Sequence, residues 1–223
     1  MPLQEGGDRR RWAVLGIVYL CSLAFAATLQ CLPPLVPRII NELKLSHTEA
    51  GMLMSLTALP GIFLSIPAGM MADRYGNRLI VITSFIAILT GQTVFATGNS
   101  FAVLAAGLLI AGAGVMIMVM MLPPIITRWF AGREIGIAMG IFNTSMPVGT
   151  IAMLNILSIT GVSPGWRGSV WLAALVPLFA LLAFALLLPK PQKQPEGTST
   201  AHQTGGLMTS IKTAGGSIWV LGL

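Results

Sequence analysis

The chain has 223 residues, of which 55% are hydrophobic and 9% are charged, and its mean hydropathy is +0.83. These values exclude an ordinary soluble domain, in which about a quarter of the residues are charged. The net charge of +6 does not call for a nucleic-acid partner, because the placement of the basic residues between apolar stretches accounts for it. We therefore expect a lipid bilayer around the chain and no nucleic acid.

Charged residues are absent from five long stretches: 12–37, 50–72, 79–127, 135–166 and 168–189. A helix needs about 20 apolar residues to cross about 30 Å of hydrocarbon. Four stretches accommodate one crossing each, and the longest accommodates two, separated at Thr97–Ser100. The sequence predicts an all-α membrane protein with six transmembrane helices, near 12–35, 50–72, 79–97, 101–127, 135–160 and 168–188.

The basic residues predict the orientation of these crossings. If the N-terminus is cytoplasmic, ten of the 13 Lys and Arg residues lie in cytoplasmic segments, and Arg38, Lys44 and Arg167 lie in outer loops. This bias follows the positive-inside rule. We expect a multi-pass protein of the cell (inner or plasma) membrane with a cytoplasmic N-terminus.

Two similar segments, Leu32–Arg38 and Leu122–Arg128, share the pattern Leu-Pro-Pro-x-x-x-Arg and lie 90 residues apart. They end the first and fourth predicted helices, and an acidic residue, Glu49 or Glu134, opens the helix that follows. Three helices followed by three similar helices of opposite orientation form an inverted repeat, which is typical of alternating-access transporters. A chance recurrence of Pro-Pro near a helix end is the alternative.

The turn between the second and third helices reads Gly69-x-x-x-Asp73-Arg74-x-Gly76-x-Arg78. In this position it resembles the loop signature of the major facilitator superfamily, and the resemblance extends over essentially the whole chain. It implies the N-terminal half of a twelve-helix transporter fold. The stretch Pro33–Arg78, together with Arg128–Asn143, resembles the nitrate/nitrite and cyanate-type anion porters of that superfamily.

Two positions in the turn differ from the usual signature. Met71 replaces the usual leucine, which is a mild change, and Asn77 replaces a basic residue. The second change removes one cytoplasmic charge and weakens the expected latch.

The charges of this turn suggest a gate. Asp73 can accept hydrogen bonds from a helix N-terminus or pair with an arginine, and Gly69 lets another helix approach closely. The resemblance implies a cytoplasmic gate formed against a C-terminal half; the alternative is a solvated loop whose charges only set topology. We expect Arg74 and Arg78 to pair with Asp73 or Glu134. The expected gate residues are Gly69, Asp73, Arg74, Gly76 and Arg78, and their expected partners are Arg128 and Glu134.

Polar residues within the spans are candidates for a substrate cavity, which the resemblance places between the two halves. The candidates are Tyr19 and Gln30 in the first span and Asn143 and Thr144 in the fifth. Hydrogen bonding between helices is the alternative role. No span carries a buried ionisable group, so we expect no proton-relay carboxylate within the spans. The expected partner is a small-molecule substrate, and a coupling proton is left open.

Small residues predict where helices approach one another closely. They are Gly107, Gly112 and Gly114 in the fourth span and Gly136, Gly140 and Gly149 in the fifth.

The predicted domains are a six-helix bundle at 1–188, a cytoplasmic linker at 189–217 and the start of a truncated seventh helix at 218–223. We therefore expect a fragment that lacks a C-terminal six-helix half. A free-standing six-helix unit that dimerises is the alternative.

The resemblance implies secondary active transport of a small anion or metabolite. Ser65 stands where nitrate carriers have an arginine, and Leu108 stands where proton-coupled drug antiporters have one. Half of a drug/proton antiporter and a non-transporting scaffold remain alternatives.

Enzymatic activity is not expected. His47 and His202 are the only histidines and fall in loops, and no catalytic or metal-binding motif is present. Cys21 and Cys31 are expected to be apolar packing residues without a disulfide. No cofactor or metal is expected.

Overall fold

The structure, a computed structural model, describes residues 5–130, 132–160 and 165–187, and the regular structure within these ranges is entirely α-helical. Side chains are described there except at 5–9, 65–66, 73, 75, 133 and 158–160. The helices are α1 (Glu5–Gln30), α2 (Leu32–Leu43), α3 (His47–Tyr75), α4 (Asn77–Thr97), α5 (Phe101–Trp129), α6 (Arg133–Thr160) and α7 (Gly165–Leu187). The predicted linker at 189–217 and helix start at 218–223 lie outside the described residues.

Among the described residues, five helical stretches are long and apolar enough to cross a membrane: Arg10–Leu43, Asn77–Thr97, Phe101–Trp129, Glu134–Leu157 and Gly165–Leu187. The remaining predicted crossing, 50–72, lies within the 29 residues of α3. Ile62 and Phe63 on α3 are 75% and 70% exposed, as side chains that face lipid or another protein segment are. The prediction of an all-helical membrane protein is confirmed.

The first crossing consists of α1 and α2, which only Cys31 separates. Pro33 and Pro34 have no N–H to offer the carbonyls four residues earlier, so the hydrogen-bond ladder is interrupted there. Proline is nevertheless tolerated in the first turn of a new helix. The predicted end of this crossing near residue 35 was therefore wrong, since the helix resumes and continues to Leu43, where Lys44 adopts φ 53.

The prediction that Glu49 opens the next helix is confirmed by a capping box. The Ser46 hydroxyl accepts a hydrogen bond from the Glu49 backbone N–H at 3.2 Å, and the Glu49 carboxylate accepts one from the Ser46 backbone N–H at 2.7 Å. The hydrogen bonds from Ser46 hold the pKa of the Glu49 carboxyl below its ordinary value. Glu134 likewise lies in the first turn of α6.

Consecutive crossings alternate in direction, with α1 and α2 together forming the first crossing. One end of the bundle, the motif end, carries the turn between α3 and α4 together with the start of α6. The other end, the far end, carries the end of α2 and the starts of α3, α5 and α7.

The helix packing follows the predicted inverted repeat. α1 packs on α6 and α7, and α5 packs on α3 and α4. The remaining large interfaces are α1 with α5 and α4 with α7. Exchanging α1 with α5, α3 with α6 and α4 with α7 reproduces the same set of neighbours, which is the relation expected of two three-helix repeats.

Glycines allow the closest of these contacts. A Cβ added at Gly107 would lie 2.6 Å from the Phe95 backbone nitrogen, and one at Gly149 would lie 2.6 Å from the Ala26 side chain. A Cβ added at Gly112 would likewise lie too close to the backbone of α3, and one added at Gly114 too close to the backbone of α4. The prediction that small residues mark close helix contacts is confirmed at Gly107, Gly112, Gly114 and Gly149.

The packing prediction was wrong at Gly136 and Gly140. Within the described part of the chain, nothing lies within 4 Å of a Cβ at either position. The four-residue spacing of small residues is therefore present on α6 without a helix of this bundle against it.

Candidate functional site

The motif turn joins α3 to α4 through a single residue, Gly76. Its φ of 84° lies in the region that favours glycine, and its N–H donates to the Ala72 carbonyl at 2.8 Å. This conformation lets α4 begin at Asn77, directly after the end of α3. The glycine at this position thus makes the tight reversal between two crossings possible.

The motif residues on either side of this turn have different surroundings. Arg74 is exposed, whereas the Arg78 guanidinium donates to the Ala185 carbonyl of α7 at 2.8 Å. Gly69 is half-buried, and no described atom lies within 4 Å of its Cβ position. The Asp73 side chain lies outside the described set, so its expected partner stays a prediction.

The predicted gate partners are placed apart from Arg78. Glu134 at the start of α6 accepts a hydrogen bond from Arg11 of α1, with 2.7 Å between Oε2 and Nη1. Trp12 packs edge-on against Phe130 beside this pair, with ring centroids 5.6 Å apart. Arg128 is exposed in the last turn of α5.

The expected contact between Arg78 and Glu134 is therefore not formed. Arg78 is held by a carbonyl at the end of α7, while Glu134 is held by Arg11. The pairing of Glu134 with Arg11 follows from the packing of α1 against α6. Sequence reasoning missed it because the two residues are separated by 123 positions.

An open cavity of about 350 Å³ lies between α1 and α6 towards the motif end. The Tyr19 and Thr144 hydroxyls are 3.4 Å apart in it, and the Thr144 hydroxyl donates to the Ile141 carbonyl at 2.7 Å. The Thr144 proton is thereby used, so Tyr19 is the donor between the two hydroxyls. The lining residues are Trp12, Leu15, Gly16, Tyr19, Ile141 and Thr144.

The other two cavity candidates lie elsewhere on the same helix pair. The Gln30 amide donates to the Thr150 hydroxyl at 3.4 Å. This hydrogen bond joins α1 to α6, which is the alternative role considered for these polar residues. Asn143 is exposed beside Thr144 and does not line the cavity. Of the four predicted residues, the structure thus brings Tyr19 and Thr144 together.

The far end of the bundle holds a polar cluster that the sequence analysis did not identify. Glu42 at the end of α2 accepts from the Trp166 indole at 2.8 Å and forms an ion pair with Arg167. Arg167 also donates to the Asn99 side chain at 2.8 Å and to the Gly98 carbonyl at 3.1 Å. The cluster connects α2, α7 and the turn after α4.

Arginines at both ends connect α4 with α7. Arg78, near the start of α4, binds a carbonyl near the end of α7, and Arg167, near the start of α7, binds a carbonyl directly after α4. The two arginines are 89 positions apart and so occupy corresponding places in the two repeats. Cations are favourable at both sites because the last carbonyls of a helix carry partial negative charge.

A metal centre is not indicated. Among the described side chains, no group of three or more His, Cys, Asp or Glu residues is close enough to hold a metal ion. Cys21 and Cys31 are both buried as free thiols.

Comparison with known families assigns the fold. Residues 18–221 match the family model of the Major Facilitator Superfamily, so the chain belongs to this superfamily. It is 27% identical over 211 residues to the uncharacterized transporter YycB of Bacillus subtilis, which covers 93% of this chain and 50% of that protein. It is 28% identical over 152 residues to the nitrite extrusion protein of the same organism, covering 66% of this chain and 37% of the relative.

A solved structure has the same fold. The chain superposes on a POT family transporter crystallised with 5-aminolevulinic acid, with a TM-score of 0.71 and 20% identity. The superposition covers 93% of this chain and 46% of that transporter. The chain thus spans about half the length of these relatives or less.

Proposed function

We propose that this chain is the N-terminal half of a secondary active transporter that moves a small solute across a membrane by alternating access. The cavity between α1 and α6 is the observation that carries this proposal. It is open, it contains a hydroxyl pair, and its volume of about 350 Å³ is within the usual range for small-molecule sites. Membership of the superfamily supports the same function.

The cavity lining favours a small substrate with hydrogen-bonding groups. Tyr19 and Thr144 offer hydroxyls, Trp12 offers an aromatic surface, and the lining contains no charged side chain. An anionic substrate would therefore need its positive partner from residues beyond this lining, because an unpaired charge is costly to desolvate. The proposed substrate is accordingly a small neutral metabolite or an anion whose charge another part of the transporter binds.

The gate is proposed at the motif end, which the positive-inside rule makes cytoplasmic. The open face at Gly69 would accommodate a helix of the C-terminal half, and Asp73 would bind the N-terminus of that helix. Arg11 and Glu134 would hold α1 and α6 together on the cytoplasmic side of the cavity.

The substitution Asp73→Asn tests the gate in the full-length transporter. Reconstituted protein is assayed for uptake of labelled nitrite, nitrate and 5-aminolevulinic acid, with and without an imposed pH gradient. We expect Asp73→Asn to abolish uptake while membrane insertion stays normal. Glu49→Gln is the matched control, since it makes the same change in charge at the far end and introduces an amide oxygen that can still cap α3. It should lower thermal stability without abolishing uptake.

Unchanged uptake by Asp73→Asn would remove this residue from the mechanism. Tyr19→Phe tests the cavity separately, because it deletes one hydroxyl and preserves the ring. We expect a higher KM for the transported solute, and an unchanged KM would exclude the Tyr19 hydroxyl from substrate binding.

A further inference from the structure

A second, smaller cavity lies between the helices at the break between α1 and α2. Its volume is about 20 Å³, which is enough for one water molecule. The cavity is lined by residues of every helix except α6 and by Cys31 at the break. The lining residues are Thr28, Cys31, Leu32, Thr57, Gln92, Phe95, Leu108, Ala111 and Val170.

Gln92 of α4 is the polar side chain that determines the chemistry of this cavity. It is 6% exposed, and its amide nitrogen lies 3.2 Å from the Thr28 hydroxyl. Thr28 donates its own proton to the Ala24 carbonyl at 2.9 Å, so it can only accept from Gln92. The amide orientation is therefore fixed, with the NH₂ group towards Thr28 and the carbonyl oxygen on the other side.

The carbonyl oxygen of Gln92 is buried and has no hydrogen-bond partner within the described part of the chain. Burying an acceptor without a donor is unfavourable, particularly in a bundle surrounded by lipid, where no bulk water is available. Thr57 of α3 lines the same cavity, is 8% exposed, and carries a hydroxyl that can accept or donate. A water-sized molecule in the cavity would supply the missing donor to the Gln92 carbonyl oxygen.

We propose that one water molecule occupies this cavity and bridges the Gln92 carbonyl oxygen and the Thr57 hydroxyl. A resident metal cation is disfavoured because no carboxylate lines the cavity to neutralise it. The volume excludes larger ligands. This water would link α3 to α4 close to Cys31, the residue that separates α1 from α2.

The direct test is a structure of the wild-type chain at a resolution that shows ordered water. We expect one density peak about 2.7–3.2 Å from the Gln92 carbonyl oxygen and within hydrogen-bond distance of Thr57. An ordered Gln92 beside an empty cavity would overturn the proposal. A peak with the short distances and multiple oxygen ligands of a metal ion would overturn it as well.

A mutant cycle gives an independent test in solution. Thr57→Val should lower the Tm of the wild-type chain by about 2–4 °C, because the water loses one partner. In a Gln92→Met background, which has no acceptor for the water, the same substitution should leave Tm unchanged. An equal shift in both backgrounds would contradict the bridging water.

Thr93→Val is the matched control for this cycle. Thr93 is on the same helix as Gln92 but is exposed, and its hydroxyl bonds the Leu89 carbonyl of its own helix. Its substitution should shift Tm equally in both backgrounds. If Gln92→Met does not fold, the wild-type density remains the deciding measurement.

Discussion

Adding one methyl group at Gly107 should destabilise the chain, whereas the same change at Gly136 should not. A Cβ at Gly107 would lie 2.6 Å from the Phe95 nitrogen, 2.8 Å from the Gly91 carbonyl oxygen and 2.9 Å from the Phe95 Cα. All three are backbone atoms of α4, which cannot rotate away as a side chain can. Restoring an ordinary contact of about 3.5 Å requires α4 to move by nearly 1 Å.

The net effect is the difference between two terms. Overpacking of this kind costs about 1–3 kcal/mol, and replacing a helical glycine with alanine gains about 0.8–1.0 kcal/mol. Because rigid backbone resists the new methyl, we take the upper end of the first range and expect Gly107→Ala to destabilise by about 2 kcal/mol. Gly136→Ala meets open space in the described bundle and should stabilise by up to about 1 kcal/mol.

Thermal unfolding of the purified chain in detergent measures the difference. A separation of about 3 kcal/mol corresponds to roughly 6–12 °C in Tm for a chain of this size. Tm shifts of the same sign and size for the two variants would refute the close contact of α5 with α4 at Gly107.

Three further predictions concern individual contacts. Glu49→Gln should destabilise the chain at neutral pH but not at low pH. The lowered pKa of the Glu49 carboxyl contributes stability that is present above the unfolded-state pKa and is lost as pH falls through the folded-state pKa, below 4.5. Tm measured against pH tests this, and a difference between the two proteins that does not depend on pH would count against it. Arg78→Ala should speed deuterium exchange near Ala185, where a helix-end carbonyl loses its donor, and unchanged exchange would show that the bond is unimportant. Trp166→Leu should lower Tm more than Trp171→Leu on the same helix, because the first indole is buried and the second is 47% exposed; equal shifts would contradict this packing.

The positions of the crossings could be predicted because hydrocarbon excludes charge. Every charge-free stretch coincides with helical structure in the described residues, and the division at Thr97–Ser100 separates α4 from α5. The end of the first crossing was wrong because Pro33 and Pro34 were taken as a stop. In the first turn of a helix, the missing N–H of proline has no helical partner to lose, so a new helix can begin there.

Contacts between distant residues could not be predicted from spacing along the chain. Tyr19 and Thr144 were identified because polar groups are rare inside apolar spans, and they do meet. Arg11 and Glu134 were not paired, since charged residues at helix ends are ordinary and carry no signal of their partner. The spacing of Gly136 and Gly140 was misleading for a related reason, because small residues mark a face without showing which helix, if any, covers it.

Site-directed labelling tests the central claim, that the helices place the motif end in the cytosol and the far end outside. Cys21 and Cys31 are buried and are first replaced by alanine. Single cysteines are then introduced at His47, exposed at the far end, and at Arg128, exposed at the motif end. A membrane-impermeant maleimide should label position 47 in intact cells and position 128 only in inverted vesicles; labelling of both from one side, or in the reverse order, would contradict the account.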